Sequence, residues 1–553
     1  MTVLLAGSLC GAPQALASTD RTETVYRTDS SVPGVISSVV RLHIPLPPSA
    51  GPHPAECDWL SYLRFRSATG PATSRDADRV LVAQPGIFEG AGAFESVARN
   101  TVAAAARRGH PIEFWALDRR SNCLEDHTGL QAGLSSRSLD TAADYYYDGA
   151  QIDGRRFAGF PTSGPRVDWL RNQGLAQTLR DEYDVLVREI PDQRVRARKV
   201  LCGGHSLGGF ITGYFAEWNF GTPHDTADAG YGQCAGYFAL DTAIDSAFSP
   251  AKGVHIPDLP PAVAPIVEAA ALHADTALPV LALPAVINPE TMNLLGLVGL
   301  AAHLNPERVD EIVRRLPDTP NINATLRTLL SRDAAMFATG TPDIRSLHAT
   351  NDAILGAILD DNSQPFAFLQ ASVGFFTGGP VAPKTFPLPD SIALSPLGMS
   401  SFGDAHKFAP TGFDPHIVYR WRDYNQIDPS MWRYTTPANE VTSIHELARD
   451  LSEPPLDFAE WYFPTRLPAD LELRSSPSIA AHRLYPDVAR RFPMITFVAS
   501  GGIGPTPPDD PRGRVVHLPG YNHIDVLTAA AAQNNGRPEQ VSTDLADFAI
   551  APG

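Results

Sequence analysis

The sequence predicts an α/β protein, with a mostly parallel central sheet flanked by helices and a large, mainly helical insertion before the last two strands. Three observations predict it. Short apolar runs at residues 80–83, 112–117, 200–202 and 237–240 have the length and composition of strands buried on both faces. Segments of helical periodicity separate them, as a sheet covered on both sides requires. That alternation stops near residue 244 and resumes at residue 494. At 553 residues and 43% hydrophobic content the chain can bury an extensive core, yet it is too long for one average domain. One fold split by an insertion is therefore expected, with a core in residues 18–243 and 492–553 and a cap in residues 244–491.

In order along the chain, residues 39–44 and 60–65 alternate apolar and polar, which predicts antiparallel strands with one wet face. The run at 80–83 ends at Gln84-Pro85-Gly86 and is followed by a helix over 93–108. The run at 112–117 ends at Asp118-Arg119-Arg120, read as a turn held by ion pairs. Leu170, Leu175, Leu179, Tyr183 and Leu186 recur at helical spacing, predicting one long helix over 167–189. The strand at 200–202 leads through a glycine-rich turn into a helix over 207–218, and the strand at 237–240 ends at Asp241. In the insertion, helices are expected at 266–273, 292–303, 306–316, 353–359 and 441–451. Strands at 494–498 and 514–517 then complete the sheet, and a helix follows from residue 524.

Composition narrows the function. Acidic residues outnumber basic ones by 61 to 44, without a dense basic stripe, which argues against a nucleic-acid partner. Residues 1–17 run from a short apolar stretch to Ala15-Leu16-Ala17, the shape of a cleaved signal peptide, although the positive n-region is missing. Export is the expectation, to the periplasm or the exterior. Beyond that leader four cysteines remain, Cys57, Cys123, Cys202 and Cys234, enough for two disulfides of open pairing, although Cys202 also reads as a small buried strand residue. No later stretch reaches the ~18 apolar residues of a membrane span. Without an H-E-x-x-H, a paired CxxC or an acidic calcium loop, neither metal nor cofactor is expected.

Gly204-His205-Ser206-Leu207-Gly208 carries the chemistry. It matches G-x-S-x-G, in which a serine is lifted out of a strained turn between strand and helix, and glycines stand where a side chain would strike neighbouring backbone. The apolar strand before it and the helical run after it are the context the motif requires. Ser206 serving only as a helix cap is the plainer reading.

On these residues the chain resembles the α/β-hydrolase superfamily over roughly residues 39–241 and 494–548, leaving the insertion outside. The resemblance implies that Ser206 is a nucleophile. It implies equally that a general-base histidine follows the last core strand, where Gly520-Tyr521-Asn522-His523 stands. His517 lies inside that strand and reads as structural, and Asp525 reads as a carboxylate at a helix start. The family's acid commonly follows the penultimate strand, but this chain has Ala499-Ser500-Gly501-Gly502-Ile503-Gly504-Pro505 there. Asp241, one strand earlier as in some lipases, is the first candidate, with Asp509 or Asp510 as alternatives.

The same resemblance places one oxyanion donor at the Leu207 amide. The second lies in the loop after residue 83, where Pro85 has no N–H to give. Ile87 is chosen there, with Phe88 beside it. The expected activity is ester hydrolysis through an acyl-enzyme, on a small-molecule or lipid-like ester. A peptidase or amidase of the same superfamily and a non-catalytic binding protein are the alternatives. Apolar stretches at 277–287 and 294–300 fit either a roof over an acyl pocket or a core of the cap's own.

Overall fold

The computed structural model describes residues 20–222, 226–246, 278–283, 285–386, 407–472, 477–505 and 513–551. The leader, the expected helix at 266–273 and Asp509 and Asp510 lie outside these residues.

Nine strands form one sheet: β1 (Arg21–Val25), β2 (Val35–His43), β3 (Trp59–Ser67), β4 (Val80–Gln84), β5 (Glu113–Leu117), β6 (Val200–His205), β7 (Gly236–Leu240), β8 (Met494–Gly501) and β9 (Gly513–Asn522). Their spatial order is β1-β2-β3-β5-β4-β6-β7-β8-β9. The first three strands and the β3/β5 pair are antiparallel, and every pair from β5 through β9 is parallel. The wet face expected for the first hairpin is closed along β3, where Arg64 is buried against Glu113, donating from Nε to Oε2 at 2.9 Å.

Strand pleating divides the core in two. Leu81, Ala83, Phe114, Ala116, Phe238 and Leu240 point into one apolar cluster, which holds helix α1 (Glu95–Arg107) and the C-terminal helix Gln540–Ile550. Val80, Val82, Trp115, Cys202, Tyr237 and Ala239 point into the other, with helices α2 (Leu175–Glu189) and α3 (Leu207–Glu217). The side-chain period of two in a strand makes this division.

The residues between β7 and β8 contain helices Pro289–Leu304, Pro320–Leu330, Asn351–Leu359 and Ile444–Asp450. They also contain two antiparallel strand pairs the sequence analysis did not anticipate, Gly374–Thr377 with Arg420–Asp423 and Val381–Pro383 with Phe408–Pro410. The expected helix at 306–316 shrinks to Glu311–Arg315, because Asp310 is left-handed at φ 60°. The expected helix at 167–189 begins only at Leu175; a bulky residue at Gly174 would put its Cβ 2.0 Å from the Asp470 carboxylate. Among the described residues the insertion shares its apolar clusters with the sheet and its helices. Leu294, Leu297 and Leu355 join the cluster around α1, and Phe463 and Leu467 join the one around α3. Disulfides link Cys57 with Cys123 and Cys202 with Cys234, so Cys202 is a cross-linked strand residue rather than a free hydrophobe. Among the described residues no helix is long and apolar enough to cross a membrane.

Candidate active site

Ser206 sits where β6 turns into α3, at φ 52° and ψ −123°. A non-glycine residue there costs about 1 to 3 kcal/mol and persists only when its surroundings impose it. The imposing group is the end of β4. A Cβ on Gly208 would fall 2.0 Å from the Gln84 carbonyl oxygen, and one on Gly204 would fall 2.7 Å from the same atom. Both glycines are required because the turn closes over the carbonyl of Gln84. The Ser206 N–H donates to Leu240 O at 3.3 Å, and Thr242 Oγ1 donates to Ser206 O at 2.5 Å. The serine is thus fastened to the residues on either side of Asp241.

Asp241 and His523 meet directly. His523 Nδ1 donates to Asp241 Oδ2 at 2.6 Å, and the two residues are 2% and 1% exposed. The same carboxylate accepts the amides of Ala499 at 3.0 Å, Ile503 at 3.0 Å and Gly504 at 3.1 Å. The loop after β8, where a carboxylate was missing, is the cradle for one supplied by β7. Its glycines are there for space, since a Cβ on Gly502 would lie 2.2 Å from Asp241 Oδ2. Burial alone would raise the Asp241 carboxyl; the His523 hydrogen bond and charge, aided by the amides, hold it below its ordinary value.

With Nδ1 donating to Asp241, Nε2 is the His523 ring nitrogen left to accept a proton. Burial and the neighbouring His205 charge lower its pKa, with Asp241 pulling the other way. Among the described residues, no hydrogen bond joins the Ser206 hydroxyl to His523; such contacts commonly close only around bound substrate. Asp525 does more than begin a helix. It accepts Asn522 N–H at 2.7 Å, Ser372 Oγ–H at 2.8 Å and Thr442 Oγ1–H at 2.6 Å, tying the His523 loop to the insertion.

A second buried pair stands beside the first. His205 Nδ1 lies 2.5 Å from Glu89 Oε1, its Nε2 lies 3.0 Å from His523 O, and its ring is 4.3 Å from that of His523. Both ring nitrogens face acceptors, so both carry protons and His205 is an imidazolium. Its burial opposes that charge, but Glu89 outweighs burial and raises the imidazole pKa, while His205 in turn lowers that of Glu89. The second Glu89 oxygen accepts the Gly86 N–H at 2.5 Å. Neither residue was singled out from sequence. His205 occupies the variable position of the motif, and Glu89 lies three residues past Gly86.

The loop after β4 lies against the serine. A Cβ on Gly86 would be 2.9 Å from Ser206 Cβ. Among the described residues the Ile87 and Phe88 amides and the Leu207 amide have no acceptor, so they remain available to a ligand. Phe88 is left-handed at φ 59°, held there by the insertion through Glu460 N–H to Phe88 O at 2.9 Å. Tyr145, Tyr146, Phe157 and Phe160 pack on one another and on Trp461.

Three groups of described residues bring carboxylate or imidazole atoms within 4.8 Å of one another: Asp29/His303/Glu453, Glu125/His127/Asp457 and the all-carboxylate Asp360/Asp361/Glu440. None includes Ser206, Asp241 or His523. Glu125 is already engaged by Trp461 N–H and His127, and Asp360 by the amides of Asn362 and Val373, so no metal is assigned to them.

No family model and no curated protein sequence matches the chain. Among solved structures it is similar to a putative lipase from Sulfolobus solfataricus, at 11% identity over 92% of this chain and 94% of that one, TM-score 0.36. It is similar also to a soluble variant of monoglyceride lipase from Saccharomyces cerevisiae, at 8% identity over 98% of each chain, TM-score 0.27. A third is juvenile hormone epoxide hydrolase from the silkworm Bombyx mori, at 10% identity over 92% of this chain and 76% of that one, TM-score 0.29. Likeness this weak bears on neither substrate nor chemistry, and the architecture rests on the chain's own topology. Six adjacent parallel strands, a serine at positive φ between β6 and α3, and a histidine just past the last strand make this the α/β-hydrolase fold.

Proposed function

We propose that the protein is an exported serine hydrolase that cleaves carboxylic esters with an apolar acyl or alcohol group, through an acyl-enzyme on Ser206. The observation that carries this reading is the buried Asp241–His523 hydrogen bond set beside a serine held at positive φ. Ser206 Oγ bonds to the acyl carbon while its proton passes to His523 Nε2. Negative charge then gathers on the carbonyl oxygen, and the amides of Leu207 and Ile87 stabilise it. The tetrahedral centre collapses, the carbon–oxygen bond to the alcohol breaks, and the alcohol leaves with the proton from Nε2. Water repeats the sequence, giving its proton to Nε2 and releasing the acid and the free serine.

Asp241 keeps the imidazole in the Nδ1–H tautomer and stabilises its charged form. An apolar substrate is supported by Ile87, Leu281, Ile287 and Met292, which remain partly exposed where they pack on the cluster containing Phe88 and Leu207. Two disulfides support an oxidising compartment, in keeping with the leader-like residues 1–17.

Hydrolysis of a p-nitrophenyl ester series and an aminoacyl p-nitroanilide series, run with wild type and Ser206→Ala, tests the reading. Ester turnover that rises with acyl length and vanishes in the variant is expected. Cleavage of anilides but not esters would make the protein a peptidase, and turnover of neither would favour a binding protein.

A further inference from the structure

We infer that Arg119 and Glu460 are positioning residues for the oxyanion hole, so that the insertion helps to build the site. The inference rests on the Ile87 amide being an oxyanion donor and identifies what aims it. Arg119 Nη2 donates to Pro85 O at 2.5 Å and to Gly86 O at 2.7 Å. In a trans peptide the carbonyl and the following N–H point in opposite directions. With Gly86 O turned onto the guanidinium, the Ile87 N–H is turned away from it. The preceding peptide is fixed the same way, with Pro85 O on Arg119 and Gly86 N–H on Glu89 at 2.5 Å. The Pro85–Gly86 peptide plane is thereby locked at both ends, and the Gly86–Ile87 plane at its carbonyl, leaving the Ile87 N–H as its one free end.

What holds Arg119 comes from the insertion. Its Nη1 donates to Glu460 Oε2 at 2.5 Å, and Glu460 is fully buried. The other Glu460 oxygen accepts Ser121 Oγ–H at 2.6 Å. Around this pair the insertion runs antiparallel to the loop: Glu89 bridges Ala459, Gly90 N–H donates to Phe458 O at 2.9 Å, and Glu460 N–H donates to Phe88 O at 2.9 Å. A surface ion pair would have no reason to grip the carbonyls of one loop so closely. A guanidinium forked between two carbonyls and a carboxylate has the rigidity that a pre-aimed donor requires.

Glu460→Gln keeps the volume and the Ser121 contact while removing the charge that orients Arg119. Arg119→Lys keeps a charge but loses the fork. For each variant, kcat and KM are measured with p-nitrophenyl butyrate, per active site titrated to completion with a fluorophosphonate, beside wild type and Ser206→Ala. The expected result is a kcat reduced roughly 10- to 100-fold at unchanged KM, less than the 10²- to 10³-fold lost when such a donor is removed outright. Unchanged kcat per titrated site overturns the inference, and so does a fall only in titre and melting temperature, which a merely structural role would give. If Ser206→Ala retains wild-type turnover, the underlying nucleophile reading has failed; if it is inactive while both variants keep kcat, only the positioning role has.

Discussion

Replacing Asp241 with asparagine separates two things the carboxylate does. Its Oδ2 accepts from His523 Nδ1, Ile503 N and Gly504 N, and its Oδ1 only from Ala499 N. An asparagine has one acceptor oxygen, which takes the Oδ2 place, keeps three of the four hydrogen bonds and sets its NH2 against the Ala499 amide. His523 then retains its Nδ1–H tautomer. What disappears is the negative charge beside the imidazolium that forms when Ser206 gives up its proton. Two unit charges about 4 Å apart at an effective dielectric of about 20 attract by about 4 kcal/mol. At about 1.4 kcal/mol per decade that is a loss of roughly 10³ in kcat. Loss of the tautomer as well would take the fall toward about 10⁴. The assay is p-nitrophenyl butyrate hydrolysis per titrated site at pH 8, with melting temperature as the folding control. Asp509→Asn and Asp510→Asn, tested alongside, should leave kcat near the wild-type value. A loss under about tenfold in Asp241→Asn, or about 1.4 kcal/mol, would refute the assignment of the acid.

Four further outcomes follow. Gly208→Ala forces a Cβ to 2.0 Å from the Gln84 carbonyl, so the end of β4 must shift; urea denaturation should show a loss of about 1 to 3 kcal/mol, together with a fall in kcat. His523 faces Asp241, His205 and Glu89, and because burial and His205 lower its pKa, log kcat/KM should rise with pH through a midpoint below the ordinary histidine value of about 6.5. The double change His205→Asn with Glu89→Gln removes the nearer positive charge without orphaning the carboxylate and should move that midpoint upward in a pH–rate profile. The Cys57–Cys123 link closes 66 residues, so Cys57→Ala with Cys123→Ala should cost about 4 kcal/mol in denaturant unfolding by the loop-entropy relation.

The sheet and the elbow were legible because they are local. Val200, Leu201 and Cys202 form an apolar run that ends in glycine, and His523 follows a strand at the right place in the chain. Asp241 could be named because it ends a strand, but the three amides that hold its carboxylate come from the loop at 499–504, a chain segment some 260 residues away. Glu89 and Glu460 left no such trace, and Arg119 was read only as part of a turn held by ion pairs, without its partner. Arg119 and Glu460 are 341 residues apart, and the extended stretch that carries Glu460 has neither helical nor alternating periodicity. Edge strand β1, Arg-Thr-Glu-Thr-Val, is polar and largely exposed, so hydrophobic patterning cannot find it. Helix limits failed where a distant side chain decided them, as Asp470 does at Gly174, or where a residue turned left-handed, as at Asp310.

The most direct test of the account is covalent. The protein is treated with a fluorophosphonate, digested and mapped by mass spectrometry. A single adduct on the peptide containing Ser206, absent from Ser206→Ala and slowed in Asp241→Asn, is the result predicted. An unlabelled wild type, or an adduct that persists at another residue in Ser206→Ala, would contradict it.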